Sequence, residues 1–120
     1  MIPRFTVEGD VNVRVALDKR LSNAKNAGAI YAIEYIAHYA VFVHENLNTR
    51  YRNGQAKFLE QPARESGKGL GNIVATVAER TGDVALGLEK AANTLLALSQ
   101  QLVPVKTGFL KRSGKVRREK

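Results

Sequence analysis

Two adjacent residues, His44 and Glu45, have the side-chain types best suited to chemistry in this sequence. An imidazole beside a carboxylate can transfer protons in acid–base catalysis. However, residues 39–44 are rich in Val and aromatic residues, which predicts a strand, and neighbouring residues of a strand point to opposite faces of a sheet. The two side chains should therefore not share one substrate, and we expect the protein not to be an enzyme. A hydrolase that uses His44 as its base is the least favoured alternative.

A second candidate for chemistry is the glycine-rich run Gly67-Lys68-Gly69-Leu70-Gly71, which superficially resembles a phosphate-binding loop. It lacks the Gly-Lys-Ser/Thr ending of a P-loop, and no predicted strand directly precedes it, as a dinucleotide-binding fingerprint requires. A flexible joint between two helical segments is the simpler interpretation. The chain has no cysteine and two histidines without a nearby carboxylate cluster, so we expect neither a metal nor any other cofactor.

The third feature is the excess of basic residues. The 120 residues include 19 Lys and Arg and 11 Asp and Glu, which gives a net charge of +8. Arg50, Arg52 and Lys57 surround Tyr51, a combination that suits phosphate contact together with base stacking. A second group crowds the C-terminal end, and its members are Lys106, Lys111, Arg112, Lys115, Arg117, Arg118 and Lys120. Since a basic terminus is often only a solvated tail, a DNA-facing surface and a solvated tail both remain open.

The elements that must position these residues begin with a short strand over residues 4–8, where apolar and polar residues alternate. The next segment fits two patterns. Its valines keep a strand period, whereas Val13, Leu17 and Leu21 keep a helical spacing, and Asp10 can cap a helix. We predict a helix over residues 10–21, followed by a turn or exposed connection over residues 22–28.

The middle of the chain is predicted to form most of the sheet. Residues 29–45 are dense in Ile, Tyr, Val and Phe, which predicts two strands separated by a bend near residues 37–38. Residues 46–55 are polar without apolar periodicity, and this predicts a projecting loop. Phe58 and Leu59 follow that loop as an apolar anchor, and they suit either core packing or an interface with a partner.

The second half of the chain is predicted to be mainly helical. Residues 56–65 predict a short helix limited by Pro62, and residues 70–80 predict another that ends at Gly82. Beyond Asp83, a good helix cap, apolar residues recur at alternating steps of four and three up to residue 102, which predicts one long amphipathic helix. Val116 predicts a final strand.

These elements predict an α+β fold in a single domain over residues 1–120, in which a small antiparallel sheet packs against the long amphipathic helix and carries a projecting loop. The apolar stretches are too short for a membrane helix, and the N-terminus lacks the apolar core of a signal peptide. We therefore expect a protein that makes no membrane contact and is made in the cytosol. Near the other end, Pro104 should end the long helix, Thr107 should cap, and Gly108 should permit a tight turn.

Two blocks of this sequence resemble the small morphogenesis proteins of tailed phages, known as neck, tail-completion or minor capsid proteins. In that family a long helix runs into a Val-Pro-Val-x-Thr-Gly-x-Leu-x-x-Ser turn. A strand reading Tyr-Ala-x-x-Val-His-Glu follows later, ahead of a Gly-Gln-Ala-Lys-Phe-Leu-Glu segment. The matching residues are Val103, Pro104, Val105, Thr107, Gly108, Leu110 and Ser113 in the first block, and Tyr39, Ala40, Val43, His44, Glu45, Gly54, Gln55, Ala56, Lys57, Phe58, Leu59 and Glu60 in the second.

The order of the blocks differs from the usual layout, because here the Pro-x-x-Thr-Gly turn follows the strand block. A circular permutation, natural or engineered, accounts for this difference, since folds tolerate new chain breaks at surface sites. Under this hypothesis Val116 and its neighbours pair with residues 29–36.

The resemblance implies a structural virion protein at the head-to-tail junction, assembled in the host cytoplasm. It implies a homo-oligomeric ring, hexameric or dodecameric, between the portal or adaptor and the tail-terminator or tail-tube proteins, with non-specific DNA contact in the channel. The expected subunit or partner interface consists of Arg50, Tyr51, Arg52, Lys57, Phe58 and Leu59. The alternative is a small basic protein that binds DNA without sequence specificity.

Overall fold

The computed structural model describes residues 4–8, 12–19, 24–37, 39–47, 54–104 and 108–120. Its centre is a four-stranded antiparallel sheet in the order β1-β2-β3-β4. Five helices complete the described part of the chain. The predicted α+β class, with a small antiparallel sheet against a long helix, is therefore confirmed.

The first two strands are β1 (Arg4–Glu8) and β2 (Asn12–Asp18), which pair antiparallel. The strand over residues 4–8 is as predicted, but the helix over residues 10–21 is wrong. Of the two periods in that segment the strand period holds, because Val13, Val15 and Leu17 are fully buried on one face of β2. Two partner strands, one on each side, hold β2 extended, and the helical spacing has no counterpart in the fold.

The other two strands are β3 (Ile30–Tyr35) and β4 (Gly114–Arg118), which pair antiparallel although they lie far apart in sequence. Ile33 is the partner of Val116 in this register, so the predicted pairing of the last strand with residues 29–36 is confirmed. The connection from β2 to β3 includes a turn over residues 26–28, as predicted, with Asn26 in the left-handed region at φ 58°.

The second predicted strand of the middle segment is instead α1, a short helix over Ala40–Glu45. Its two buried residues, Ala40 and His44, are four apart, which is the spacing of one helix face. Phe42 points away from that face and is 68% exposed. The Val and aromatic content predicted a strand because these residue types favour extended backbone, but here burial of a single helical face decides the conformation.

The next two helices are α2 (Glu60–Glu65) and α3 (Gly67–Thr81). Pro62 lies in the first turn of α2, where a missing amide donor costs no helical hydrogen bond. The predicted flexible joint at residues 67–71 is wrong, because these residues form the first turns of α3, with Gly67 and Gly71 buried on one side. The predicted end of the helix is confirmed, since Gly82 closes α3 in the left-handed conformation at φ 73°.

The long amphipathic helix is α4, over Val84–Gln100, as predicted. Asp83 caps its N-terminus by accepting a hydrogen bond from the amide of Ala85 at 3.0 Å. The hydrogen bond from Asn26 lowers the pKa of the Asp83 carboxyl below its ordinary value. The same turn is tied to the connection between β2 and β3, because Lys25 N donates to Gly82 O at 2.7 Å and Val84 N donates to Lys25 O at 2.9 Å.

The core lies between α4 and one face of the sheet. Helix α4 packs across β3 and β4, α1 packs against β2, and α3 runs along α4. Tyr35 is fully buried in this core, where its hydroxyl and Ser99 Oγ form a hydrogen bond of 2.8 Å, and burial raises the pKa of Tyr35 to about 12. At Gly87, a Cβ would lie 2.8 Å from Val74 O, so glycine permits the close approach of α3 and α4.

The last elements follow α4 closely. Pro104 lies just beyond the helix, and Gly108, at φ 81°, begins the one-turn helix α5 (Phe109–Arg112), which leads directly into β4. Gly108 therefore supplies the predicted tight turn, but that turn leads first into a helix. No helix in the described ranges is long and apolar enough to cross a membrane.

Candidate functional site

The two residues that first suggested chemistry lie at the base of the segment that connects α1 to α2. His44 is fully buried, and its Nε2 accepts a hydrogen bond from the backbone amide of Glu60 at 3.1 Å. Its ring meets Phe58 edge-on at a centroid distance of 4.9 Å. Because α1 is a helix, the predicted separation of His44 and Glu45 on opposite strand faces is wrong, and His44 Nδ1 lies 3.4 Å from Glu45 Oε1.

Burial lowers the pKa of His44 below its ordinary value of 6.5, although the Glu45 charge opposes this effect. The neutral ring is the form that fits the contacts, because only an unprotonated Nε2 can accept the Glu60 amide. An enclosed imidazole with this nitrogen occupied by the backbone is suited to holding the start of α2 in place, and it presents no free base to a substrate.

A network of charged groups surrounds the buried His44 and its half-exposed neighbour Glu45. Lys57 Nζ forms an ion pair with Glu45 and lies 3.6 Å from Glu60 Oε2, and Arg64 Nη2 lies 3.2 Å from Glu60 Oε1. Burial raises the pKa of Glu45, but the hydrogen bond and the charge of Lys57 together bring it below the ordinary value. The hydrogen bond to Glu45 in turn raises the pKa of Lys57. Glu45 and Lys57 therefore both stay ionised at neutral pH.

The backbone joins the two ends of the connection from α1 to α2. Lys57 N donates to His44 O at 2.7 Å, and Gln55 N donates to Leu102 O at 2.7 Å. Lys57 adopts φ 56°, a left-handed conformation that is uncommon for a residue with a side chain. We call this arrangement of His44, Glu45, Lys57 and Glu60, together with Gly54 and Gln55 of the same connection, the loop base.

The loop base is also where the two sequence blocks meet. Gly54, at φ 77°, is so close to the chain after α4 that a Cβ would lie 2.5 Å from Pro104 N. The rings of Tyr39 and Phe109 lie 6.2 Å apart, which joins the two blocks a second time. Residues far apart in sequence are thus in direct contact.

The predicted interface residues do not share one environment. Phe58 and Leu59 are fully buried in the core, so the chain itself occupies the surface that an interface would need, and core packing is the interpretation that holds. Lys57 is partly buried within the loop base. The structural motif residues behave as anchors, since Leu110 is buried and Ser113 Oγ donates to Leu110 O at 2.7 Å. Four predicted site residues, Arg50, Tyr51, Arg52 and Thr107, lie outside the described residues.

Sequence reasoning missed three exposed apolar side chains in and beside α1 and in α5. Phe42 is 68% exposed and Leu47 is 72% exposed, and Phe109 is about half exposed. Large exposed apolar side chains mark candidate contact surfaces when they cluster. The signal that could have revealed Phe42 was the four-residue spacing of Ala40 and His44, which places Phe42 on the outer side of a helix.

Three members of the basic C-terminal group, Lys115, Arg117 and Arg118, belong to strand β4 and not to a simple solvated tail. Arg117 Nε donates to Glu34 Oε1 at 2.7 Å across β3 and β4, and Arg14 of β2 forms an ion pair with Glu119. Lys115 remains exposed, as do Lys111 and Arg112 on α5, and Lys106 lies outside the described residues. The exposed cations therefore lie in two consecutive elements, α5 and β4.

Within the described ranges, no group of three or more His, Cys, Asp or Glu residues could hold a metal ion. The polar depression beside the loop base is shallow and open, and it is lined by Lys57, Glu60, Gln61, Arg64 and Glu65. Mixed charges in an open depression suit contact with a polar surface more than enclosure of a small molecule. No protein-family model, no curated protein and no solved structure matches this chain.

Proposed function

We propose that the chain is a structural protein of the phage head-to-tail connection, which assembles into a ring between the portal or adaptor and the tail and surrounds the DNA channel. The observation that carries this proposal is the contact between the two sequence blocks at the loop base. The approach of Gly54 to Pro104 brings together two residues on which the resemblance rests. The hydrogen bond of 2.7 Å from Gln55 N to Leu102 O lies directly beside it.

The contact supports the proposal because it gives the shared residues a common physical role. His44, Lys57 and Glu60 tie the two ends of residues 46–55 to the domain. A segment anchored in this way can reach a neighbouring subunit or the tail without disturbing the core. In this proposal the motif is therefore a device for presenting a contact segment, with no catalytic role.

The rearranged order of the blocks is consistent with a circular permutation. Arg4 pairs with Ala16, Ala16 pairs with Ala32, and Ala32 pairs with Arg117, so the first and last strands have their outer ends in one row of the sheet. Three strand spacings of about 4.8 Å separate them, a gap that a few residues can bridge. A chain break moved to this place leaves the sheet and the loop base unchanged.

Quantitative mass spectrometry of purified tailed particles of the encoding phage tests the proposal. A closed ring with cyclic symmetry requires a fixed copy number, and we expect about six or twelve copies of the chain per particle. Absence of the chain from finished particles would refute a place in the connector. Immunogold labelling at the head-to-tail junction provides an independent check of position.

The second candidate is a small basic protein that binds DNA without sequence specificity. It is favoured by the exposed cations Lys111 and Arg112 of α5 and Lys115 of the following strand β4. Removing all residues after Ser113 would delete β4, so a fair test reverses charge on the surface. The double variant Lys111→Glu, Arg112→Glu should weaken DNA binding and reduce its salt dependence if these cations contact phosphates. Unchanged binding would count against this candidate.

A further inference from the structure

The sheet ends in two strands that have no partner on their outer sides among the described residues. These are β1 (Arg4–Glu8) and β4 (Gly114–Arg118), each five residues long. The outer side of an edge strand presents a row of backbone N–H and C=O groups that readily pair with another chain. Helix α4 covers β3 and β4, whereas β1 packs mainly on β2. Both edges are therefore candidate surfaces for a strand from a second molecule.

The strand directions permit one copy to continue the sheet of the next. All neighbouring pairs in the order β1-β2-β3-β4 are antiparallel, so β1 and β4 run in opposite directions. If a second copy is placed beside the first in the same orientation, its β1 lies antiparallel to β4. A contact of this kind is head-to-tail, and head-to-tail contacts close into rings when the rotation between copies permits.

We propose that β4 of one copy pairs antiparallel with β1 of a second copy, so that the sheets of successive copies form one continuous sheet. The register is fixed by the faces of the two strands. In the register Val116 is opposite Ile33 and Val7 is opposite Val13, and because Ile33 and Val13 are buried on the same face of the sheet, the two positions share that face. Pairing Val116 with Val7 keeps the apolar face continuous across the boundary.

This register also brings opposite charges together at one end of the contact. From that end, the pairs between β4 and the second copy are Lys115 with Glu8, Val116 with Val7, Arg117 with Thr6, and Arg118 with Phe5. The Lys115–Glu8 pair of opposite charge favours this register, and no pair joins like charges. Moving the strand by two residues toward its start places Arg117 opposite Arg4, which is unfavourable.

Symmetric pairing of identical edges fits less well. If β4 pairs with another β4 about Val116, Lys115 comes opposite Arg117 twice, and like charges repel. If β1 pairs with another β1 about Thr6, Arg4 comes opposite Glu8 twice, which is favourable, but both β4 edges then remain open. Only the pairing of β4 with β1 satisfies both edges with one kind of contact, and it is the arrangement that we infer.

Charge-reversal variants test this contact in the full chain. Glu8→Lys places a lysine opposite Lys115 of the neighbour, and Lys115→Glu places a glutamate opposite Glu8 of the neighbour, so each single variant should weaken self-association by about fivefold per contact. Mixing the two variants in equal amounts restores opposite charges at each boundary between unlike copies and should restore association. Sedimentation velocity measures the species, and circular dichroism checks that each variant is folded. Lys68→Glu, an exposed change on α3, is the matched control.

A disulfide test detects the contact even if association is weak, because the chain has no cysteine of its own. The double variant Glu8→Cys, Lys115→Cys should give a ladder of linked copies on oxidation, since directly opposed strand residues are within disulfide reach. Neither single cysteine variant should link beyond traces. Absence of the ladder would overturn the proposal. A loss of association in Glu8→Lys without any loss in Lys115→Glu would also overturn it, and this result would favour pairing of two β1 strands.

This inference rests on the sheet and does not require the proposed place in a virion. Self-association through the two edges can hold for a protein that is absent from phage particles. Conversely, a particle-bound protein can fail the charge and disulfide tests. The copy number in particles and the linkage of β4 to β1 therefore give separate answers.

Discussion

The substitution Gly54→Ala should destabilise the protein because it disturbs the contact between the two sequence blocks. Gly54 has φ 77°, and its Cβ would lie 2.5 Å from Pro104 N and 2.6 Å from Leu102 O. An alanine in the left-handed region costs about 1 kcal/mol. The clash is with backbone atoms that cannot rotate away, and crowding of this kind adds about 1–3 kcal/mol. We therefore expect the free energy of unfolding to fall by about 2–4 kcal/mol.

Gly82→Ala is the matched control, because Gly82 has nearly the same φ, 73°, and a Cβ there would meet no atom within 4 Å. It should lose only the backbone contribution of about 1 kcal/mol. The difference between the two variants then measures the steric contact alone. Urea unfolding followed by circular dichroism provides both values, and it suits a chain without tryptophan. If Gly54→Ala costs no more than Gly82→Ala, the proposed contact at the loop base does not exist in solution.

The same urea assay tests three further expectations. Gly87→Ala should destabilise by about 1–2 kcal/mol despite the helix preference of alanine, since its Cβ would lie 2.8 Å from a backbone oxygen of α3. Gly69→Ala, with no atom within 4 Å, should stabilise by up to about 1 kcal/mol, and equal effects of the two changes would contradict the close helix approach. Tyr35→Phe should cost about 1–2 kcal/mol because the buried Ser99 hydroxyl loses its partner, and a neutral result would mean that this hydroxyl finds another. Because the pKa of His44 is lowered in the folded state, the stability that His44 contributes is complete above its unfolded pKa of about 6.5 and is lost as the pH falls through the lower folded pKa. His44→Gln should therefore flatten the pH dependence of stability below about pH 6.5, and an unaltered slope there would exclude His44 as its source.

The long helix was predictable from sequence because its signals are local and agree with each other. Apolar residues at steps of four and three define a face, Asp83 caps the start, and Gly82 ends the preceding helix. Each of these signals acts within one or two helical turns. The packing of α4 on the sheet then reinforces what its own sequence favours, so local preference and tertiary structure give the same answer.

The errors occur where distant contacts decide the local structure. The segment that became β2 fits both the strand and the helical period, and only its pairing with β3 settles the choice, through pairs such as Val15 with Ile33. In α1 the strand preference of Val41 and Val43 is overridden by burial of the helical face that contains Ala40. The glycines of residues 67–71 weaken a helix in isolation, but packing along α4 outweighs that cost.

The candidate site was only partly predictable for the same reason. The residue types of Gly54, Pro104 and Gly108 indicate turns, and a sequence can show this much. That Gly54 touches Pro104 depends on where α4 ends relative to α2, which no local pattern contains. Likewise, Phe58 and Leu59 are equally apolar at an interface and in a core, and only the fold distinguishes the two.

The hydrogen bond from Lys57 N to His44 O has a practical consequence for protein engineering. Because it joins the chain on both sides of residues 46–55, the entropy cost of closing this segment depends only weakly on its length, about 0.6 kcal/mol for each doubling. A peptide tag inserted between residues 48 and 53 should therefore leave the rest of the domain folded. Such a tagged protein would allow affinity capture of intact assemblies while both edge strands stay unmodified.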